Sequence, residues 1–329
     1  DELASALPEV DRIAPFGASL TSTATPVSLS GPKGEAFDLL ELPRSPVDKP
    51  WAYVKVAEGC DRRCGFCAIP SFRGDQRSRR ATAVLTEVER LVAQDAPVRE
   101  VVLVAQDLAS YGLDRRRGGE GEQLELLDGL AVATQPLVAL VEALTPAVER
   151  LRLLYLYPSG LTQGLIEAVL ATGVPYFDLS LQHVSAPLLR GMKRWGNGDR
   201  FLERIEAIRA AEPAAVFRSN FIVGYPGETE EDHDELLAFL EAARVDWGGF
   251  FAFSPEDGTH AASLPGQVAP ELAAERLAEV TALQDEITAA KRDELIGAQV
   301  SVLVDEAGVA RSFREAPEID GVIHVDESL

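Results

Sequence analysis

Short continuous apolar runs alternate along this chain with segments whose apolar residues recur every three or four positions. Residues 51–57 form the first apolar run, and Val84, Leu85, Val88, Leu91 and Val92 then follow at helical spacing. Further runs at 100–106, 151–156, 176–181, 216–224 and 247–253 read as strands. Between them, helical spacing is expected near 124–144, over 161–170, and through Phe201, Ile205 and Ile208. Thr229 and the three acidic residues after it open another helix with a capping-box pattern, and Leu236, Leu237 and Leu240 give that helix an apolar face. Strands that are apolar throughout are covered on both faces, so the pattern implies a parallel sheet flanked by helices. Six such units predict an α/β fold, a partial (β/α)6 TIM-like barrel, with ligands at the C-terminal strand ends. A long helix from 271 to about 295 stops at Gly297, and strands at 299–305 and 321–325 begin a small β unit. Residues 1–50 are rich in Pro, Ser, Thr and Gly and read as a linker or the tail of another domain. The expected division is therefore 1–45, 46–296 and 297–329.

Composition narrows the setting. No apolar run reaches the roughly 18 residues of a membrane span, and the first residues carry no secretory pattern. The chain does not begin with methionine, so a fragment is expected. Three cysteines, all within eight residues, do not suit a disulfide framework, and a reducing cytoplasm is expected. A net charge of −22 argues against a general nucleic-acid binder. Locally the sign reverses: between Cys60 and Arg80 six arginines, Arg73 and Arg77 among them, face two aspartates. Such a collar suits an anionic cluster or substrate, and equally a solvated loop.

The cysteines carry the candidate chemistry. Cys60, Cys64 and Cys67 are spaced CxxxCxxC directly after the first strand-like run. Thiolates are soft ligands for iron–sulfur clusters or zinc. Three of them hold three irons of a cubane and leave the fourth open to a small molecule. The other readings are zinc completed by a histidine such as His183, or three unrelated buried thiols.

The spacing, with Phe66 before the last cysteine, resembles the signature of the radical S-adenosylmethionine (SAM) enzymes. That resemblance implies a [4Fe–4S] cluster with one open iron, SAM chelated there, and its reductive cleavage to methionine and a 5′-deoxyadenosyl radical. A SAM site needs donors for a carboxylate, acceptors for an ammonium and an apolar adenine slot. Candidates at the strand ends are Arg218 for the carboxylate and Gln106 or Gln182 for polar edges. Gly224 would allow close backbone approach, and Phe66 and Ile222 would form apolar walls. His233 and His260 are expected at the surface, away from chemistry.

The stretches WAYVKVAEGCDRRCGFCAIPSFRGDQRSRR, LVAQDLASYG, LLYLYPSG, LSLQHVSAPLLRGMKR and FIVGYPGETEEDHDELL together resemble the methylthiotransferases over about residues 46–296. The segment after the long helix resembles the opening of their C-terminal TRAM domain, a small β-barrel. One branch of that family modifies an adenosine beside the tRNA anticodon. The other modifies the β-carbon of an aspartate in protein twelve of the small ribosomal subunit. The run from Ala310 to Val325, with RS and APEIDG, resembles the ribosomal branch, and Glu318 and Asp320 would suit a basic ribosomal protein. The resemblance also implies a one-electron donor of the flavodoxin or ferredoxin kind. The family carries three further cysteines for a second [4Fe–4S] cluster, which this sequence lacks. One cluster and SAM binding are expected of this chain, and complete methylthiolation only of a full-length protein. A zinc-stabilised ribosome-binding protein is the reading from a different class.

Overall fold

The computed structural model describes residues 40, 47–116 and 135–328. The linker expected over 1–45 lies, apart from Leu40, outside the described residues, as does the 124–134 part of the third helical zone. The chain runs β1 (Trp51–Lys55), β2 (Ala57–Glu58), α1 (Ile69–Arg73), β3 (Arg77–Ser78), α2 (Ala81–Val92), β4 (Glu100–Val104) and α3 (Pro136–Leu144). It continues with β5 (Arg150–Leu153), α4 (Gln163–Ala171), β6 (Tyr176–Gln182), α5 (Ala186–Gly191), α6 (Gly198–Ala211), β7 (Val216–Val223) and α7 (Glu230–Ala243). The last elements are β8 (Trp247–Ala252), α8 (Pro270–Asp293), β9 (Leu303–Glu306), β10 (Val309–Arg311) and β11 (Ile323–His324).

All six expected strands are present and parallel. They form two sheets, β1-β4-β5 and β6-β7-β8. Leu156 joins the two: its N–H donates to the Asp178 carbonyl at 2.9 Å, and its own carbonyl accepts from Ser180 N–H at 3.0 Å. Among the described residues no pairing closes the arc between β8 and β1, a partial barrel. Side chains alternate across it. Val101 and Leu103 of β4, and Phe177 and Leu179 of β6, pack outward under the helices with Val84, Leu140 and Val169. Val102, Tyr176 and Val216 point to the other face. Both faces are buried, which is why these strands read as unbroken apolar runs. Caps fix where the helices begin: Thr162, Ser185, Asn197 and Thr229 each accept a backbone N–H of the first turn, and Thr229 and Asp232 complete a capping box.

The inner face at the N-terminal strand ends is filled by residues 311–320. Phe313, Ala316 and Ile319 pack against Val102, Tyr176 and Val216. The polar groups of this plug are paired. Arg152 Nε and Arg311 Nη1 donate to the two oxygens of the fully buried Glu100 at 2.7 and 2.9 Å. Arg152 also reaches the Phe313 carbonyl at 3.0 Å, Trp247 Nε1 the Arg314 carbonyl at 2.7 Å, and Tyr53 OH the Pro317 carbonyl at 2.7 Å. The expected small β unit is antiparallel, ordered β11-β10-β9, with shorter strands than the pattern implied and β10 unforeseen.

Asp320, expected to face a basic partner, is instead turned into the barrel. Its side chain is 2% exposed and accepts from Tyr176 OH at 2.6 Å and Ala316 N–H at 2.9 Å, with Arg218 Nε at 3.4 Å. Burial pushes its carboxyl up to about 6 against the pull of these donors. The folded chain therefore holds a proton that the unfolded chain has released. The resulting stability is present below the ordinary carboxylate range and is lost as pH rises to about 6. Denaturant unfolding at a series of pH values is expected to show Asp320→Asn losing up to about 3 kcal/mol of pH dependence between pH ~4 and ~6 relative to wild type. Parallel curves for the two proteins would place the titration elsewhere.

Candidate cluster and cofactor site

The cysteine loop leaves β2 through Gly59, whose φ is +80° and whose missing Cβ would lie 2.2 Å from the Asp75 carbonyl oxygen. No other residue fits there without moving that backbone. Cys60 N–H donates to the Gly74 carbonyl at 3.1 Å, and Asp61 accepts from Gln76 N–H at 2.9 Å, so the two ends of the loop are tied together. Its middle is docked on the turn after α5. Gly65 N–H donates to the Met192 carbonyl, and the Gly65 carbonyl accepts from Ala261 N–H, both at 2.8 Å. Cys60 is buried, Cys64 and Cys67 are half-buried, and all three are free thiols. Burial pushes the Cys60 and Cys67 thiols up, opposed by the Arg62 N–H at Cys60 and by the Ile69 N–H and the Arg194 charge at Cys67.

Next to this loop lies a cavity of about 280 Å³ lined by Phe66, Gln182, Asn220, Ile222, Phe251, Phe253 and Glu256, among others. Three of the candidate cofactor residues, Phe66, Gln182 and Ile222, therefore meet around one space. Gln182 sits at the end of β6 with φ +72°, a left-handed conformation that side chains rarely adopt and that concentrates at ligand sites. Asn220 adds a buried amide oxygen without a partner.

The remaining candidates are placed differently. Gln106 follows β4, and its buried side-chain oxygen lacks a partner, but it does not line the cavity. Arg218 lies deeper in the barrel, with Nη1 at 2.9 Å from Asp178 and Nε at 3.4 Å from Asp320, so its charge is committed within the fold. Gly224, φ +73°, admits α8: a Cβ there would stand 2.7 Å from that of Ala273. Arg73 pairs with the buried Glu58 at 2.7 Å, and Arg77 lies in β3 opposite Glu58. Glu318 is exposed, with φ +64°.

His260 is exposed as expected, but His233 is not: it is 1% exposed, with Nε2 at 3.0 Å from Glu279. His183 is fully buried, and its Nδ1 accepts from Ser185 N–H at 3.0 Å. Among the described residues no three His, Cys, Asp or Glu side chains converge as ligands of a single metal ion. A cubane asks for a looser arrangement, three thiolates around a volume with each binding its own iron. Three free thiols on one anchored loop, with a cation on one of them, fit that group.

That cation is Arg194, which the sequence reading missed. Its Nη1 donates to Cys64 Sγ at 3.3 Å. Its guanidinium carbon lies 4.2 Å from the centroid of the Tyr157 ring, over which Arg62 also sits at 3.8 Å. The position of Tyr157, directly after the third strand-like run, was the available signal.

Residues 54–240 match the model of the radical SAM superfamily. The chain belongs to that superfamily. Its cofactors are accordingly a [4Fe–4S] cluster and SAM. Among curated relatives, the ribosomal protein uS12 methylthiotransferase RimO of Moorella thermoacetica is 48% identical over 289 residues, covering 87% of this chain and 63% of that one. Its namesake from Kineococcus radiotolerans is 45% identical over 287 residues, covering 84% and 56%. The chain thus spans about six-tenths of the length of these relatives. Among solved structures, the radical SAM enzyme coproporphyrinogen III oxidase (HemN) from Escherichia coli superimposes with a TM-score of 0.51 at 12% identity, over 81% of this chain and 60% of that one. That likeness speaks for the fold alone. No described helix is long and apolar enough to cross a membrane.

Proposed function

We propose that this chain is the radical-generating core of a methylthiotransferase that modifies an aspartate β-carbon of ribosomal protein uS12 in the cytoplasm. The observation that carries this reading is the 42–48% identity to proteins named as methylthiotransferases of ribosomal protein uS12, over 83–87% of the chain. The cysteine loop beside a walled cavity supports it. In this reading Cys60, Cys64 and Cys67 hold the cluster, and residues 46–296 and 297–329 form the core and the start of a TRAM-like unit. When bound, the cluster and SAM supply an electron and a carbon-centred radical able to take hydrogen from an unactivated C–H bond.

The protein's own part is placement and exclusion. Phe66, Ile222, Phe251 and Phe253 offer apolar walls for a flat base. Gln182 and Asn220 present amides to its polar edges. The electron comes from a flavodoxin- or ferredoxin-like carrier. The relatives' common name favours uS12 over a tRNA adenosine.

The test is the intact mass of uS12 from cells with and without the full-length gene. A methylthio-sized increase mapped to one aspartate is expected only when the gene is present. An unchanged uS12, with altered tRNA nucleosides instead, would overturn the substrate and leave the cluster in place.

A further inference from the structure

The ring of Tyr157 carries two guanidiniums, and two such groups cannot share one face at 3.8 and 4.2 Å, so the ring is held between Arg62 and Arg194. The two cations differ in their counter-charge. Arg62 Nε donates to Asp107 at 2.6 Å, and that carboxylate is 3% exposed. Among the described residues Arg194 has no carboxylate partner. Its Nη2 donates to the Ser180 carbonyl, its Nη1 to Cys64 Sγ at 3.3 Å, and its Nε is buried without a partner.

A half-buried guanidinium lacking an anion is costly, and a sulfur is a weak acceptor unless it carries negative charge. The arrangement is also held firmly. Arg194 N–H donates to the Leu189 carbonyl at 2.7 Å, and the neighbouring Met192 carbonyl anchors Gly65 of the cysteine loop. The turn that carries the cation therefore also carries the loop that carries the thiols.

We infer that Arg194, stacked on Tyr157, is the positioning residue that supplies the counter-charge for the cluster at Cys64 and eases its one-electron reduction; this rests on the cluster reading above. In that reduction one electron enters from a soluble reductant and no bond forms or breaks. The thiolate-ligated cluster gains one negative charge, and a fixed guanidinium hydrogen-bonded to a ligand sulfur favours that state.

Wild type, Arg194→Gln and Arg194→Lys would be reconstituted anaerobically, assayed for iron and sulfide, and titrated with dithionite while the reduced cluster is followed by electron paramagnetic resonance. Arg194→Gln is expected to keep the cluster and to be at least about tenfold harder to reduce, ~59 mV for one electron. Arg194→Lys, which restores charge without the fork, should lie between. Cluster loss in the glutamine variant but not in the lysine variant would equally support a need for charge. A glutamine variant with a full cluster and the wild-type potential would overturn the inference. So would cluster loss in both variants with the fold intact by circular dichroism, since shape rather than charge would then be at work. A wild-type chain with no reduced-cluster signal would remove the cluster reading itself, and this inference with it.

Discussion

Cys64→Ala is expected to abolish the brown chromophore of the reconstituted chain and all reductive SAM cleavage, while leaving the fold intact. Removing one thiolate deprives one iron of its protein ligand, and no other cysteine exists in the sequence to replace it. The loop itself should survive. Its anchors are backbone bonds, from Gly65 N–H to the Met192 carbonyl and from Cys67 N–H to the Cys64 carbonyl at 3.2 Å, and alanine keeps both. Cys64 is half-buried, so losing its sulfur costs about 1 kcal/mol of stability or less. The experiment therefore reads two quantities that should separate: iron and sulfide per reconstituted chain fall towards zero, and the denaturation midpoint of the cluster-free variant barely differs from that of cluster-free wild type. A variant that retains wild-type iron, absorption and SAM cleavage would take Cys64 out of the ligand set. A variant that loses iron together with its fold would mean that the thiol packs rather than ligates.

The cysteine loop and the six strands were legible because each rests on local pattern. CxxxCxxC needs nothing beyond eight residues, and a strand buried on both faces is apolar at every position. The features that were not legible depend on pairings far apart in the chain. Arg218 reads as a spare cation at a strand end until Asp178 and Asp320 are beside it. His233 lies in the acidic run EEDHDE, which reads as a solvated face, yet α7 turns it inward towards Glu279. Residues 311–320 carry four charged side chains besides Arg311 and read as an exposed, partner-facing run. They fill the barrel because Glu100 and Arg152, on strands some 160 to 210 positions earlier, supply the matching charges and donors. At the site, Tyr157 and Arg194 stood inside recognisable motifs, but the contact between them joins a strand end to a helix turn that only the fold brings together.

That long-range pairing sets the second large expected effect: Arg311→Met should lower stability by about 3–5 kcal/mol. Arg311 is 1% exposed, and its guanidinium serves Asp305 at 2.5 and 2.9 Å, Glu100 at 2.9 Å and the Glu315 carbonyl at 3.0 Å. Methionine fills a similar volume but leaves Glu100, wholly out of water, with Arg152 alone, and leaves Asp305 without its fork. The cost arises from stranded carboxylates more than from lost attraction, so it should be partly reversible. Adding Glu100→Gln to Arg311→Met removes one stranded charge, and the double variant should be more stable than the sum of the single changes predicts by about 1–3 kcal/mol. Denaturant unfolding of the four proteins gives both numbers. An Arg311→Met chain within about 0.5 kcal/mol of wild type would mean that the plug is an ornament on a barrel stable without it. Because the plug closes the N-terminal strand ends and the thiols sit at the opposite ends, cluster content should be unchanged wherever the variant is still folded. A loss of iron from folded Arg311→Met would instead couple the two ends of the barrel, and the plug would then belong to the cofactor site as well as to the fold.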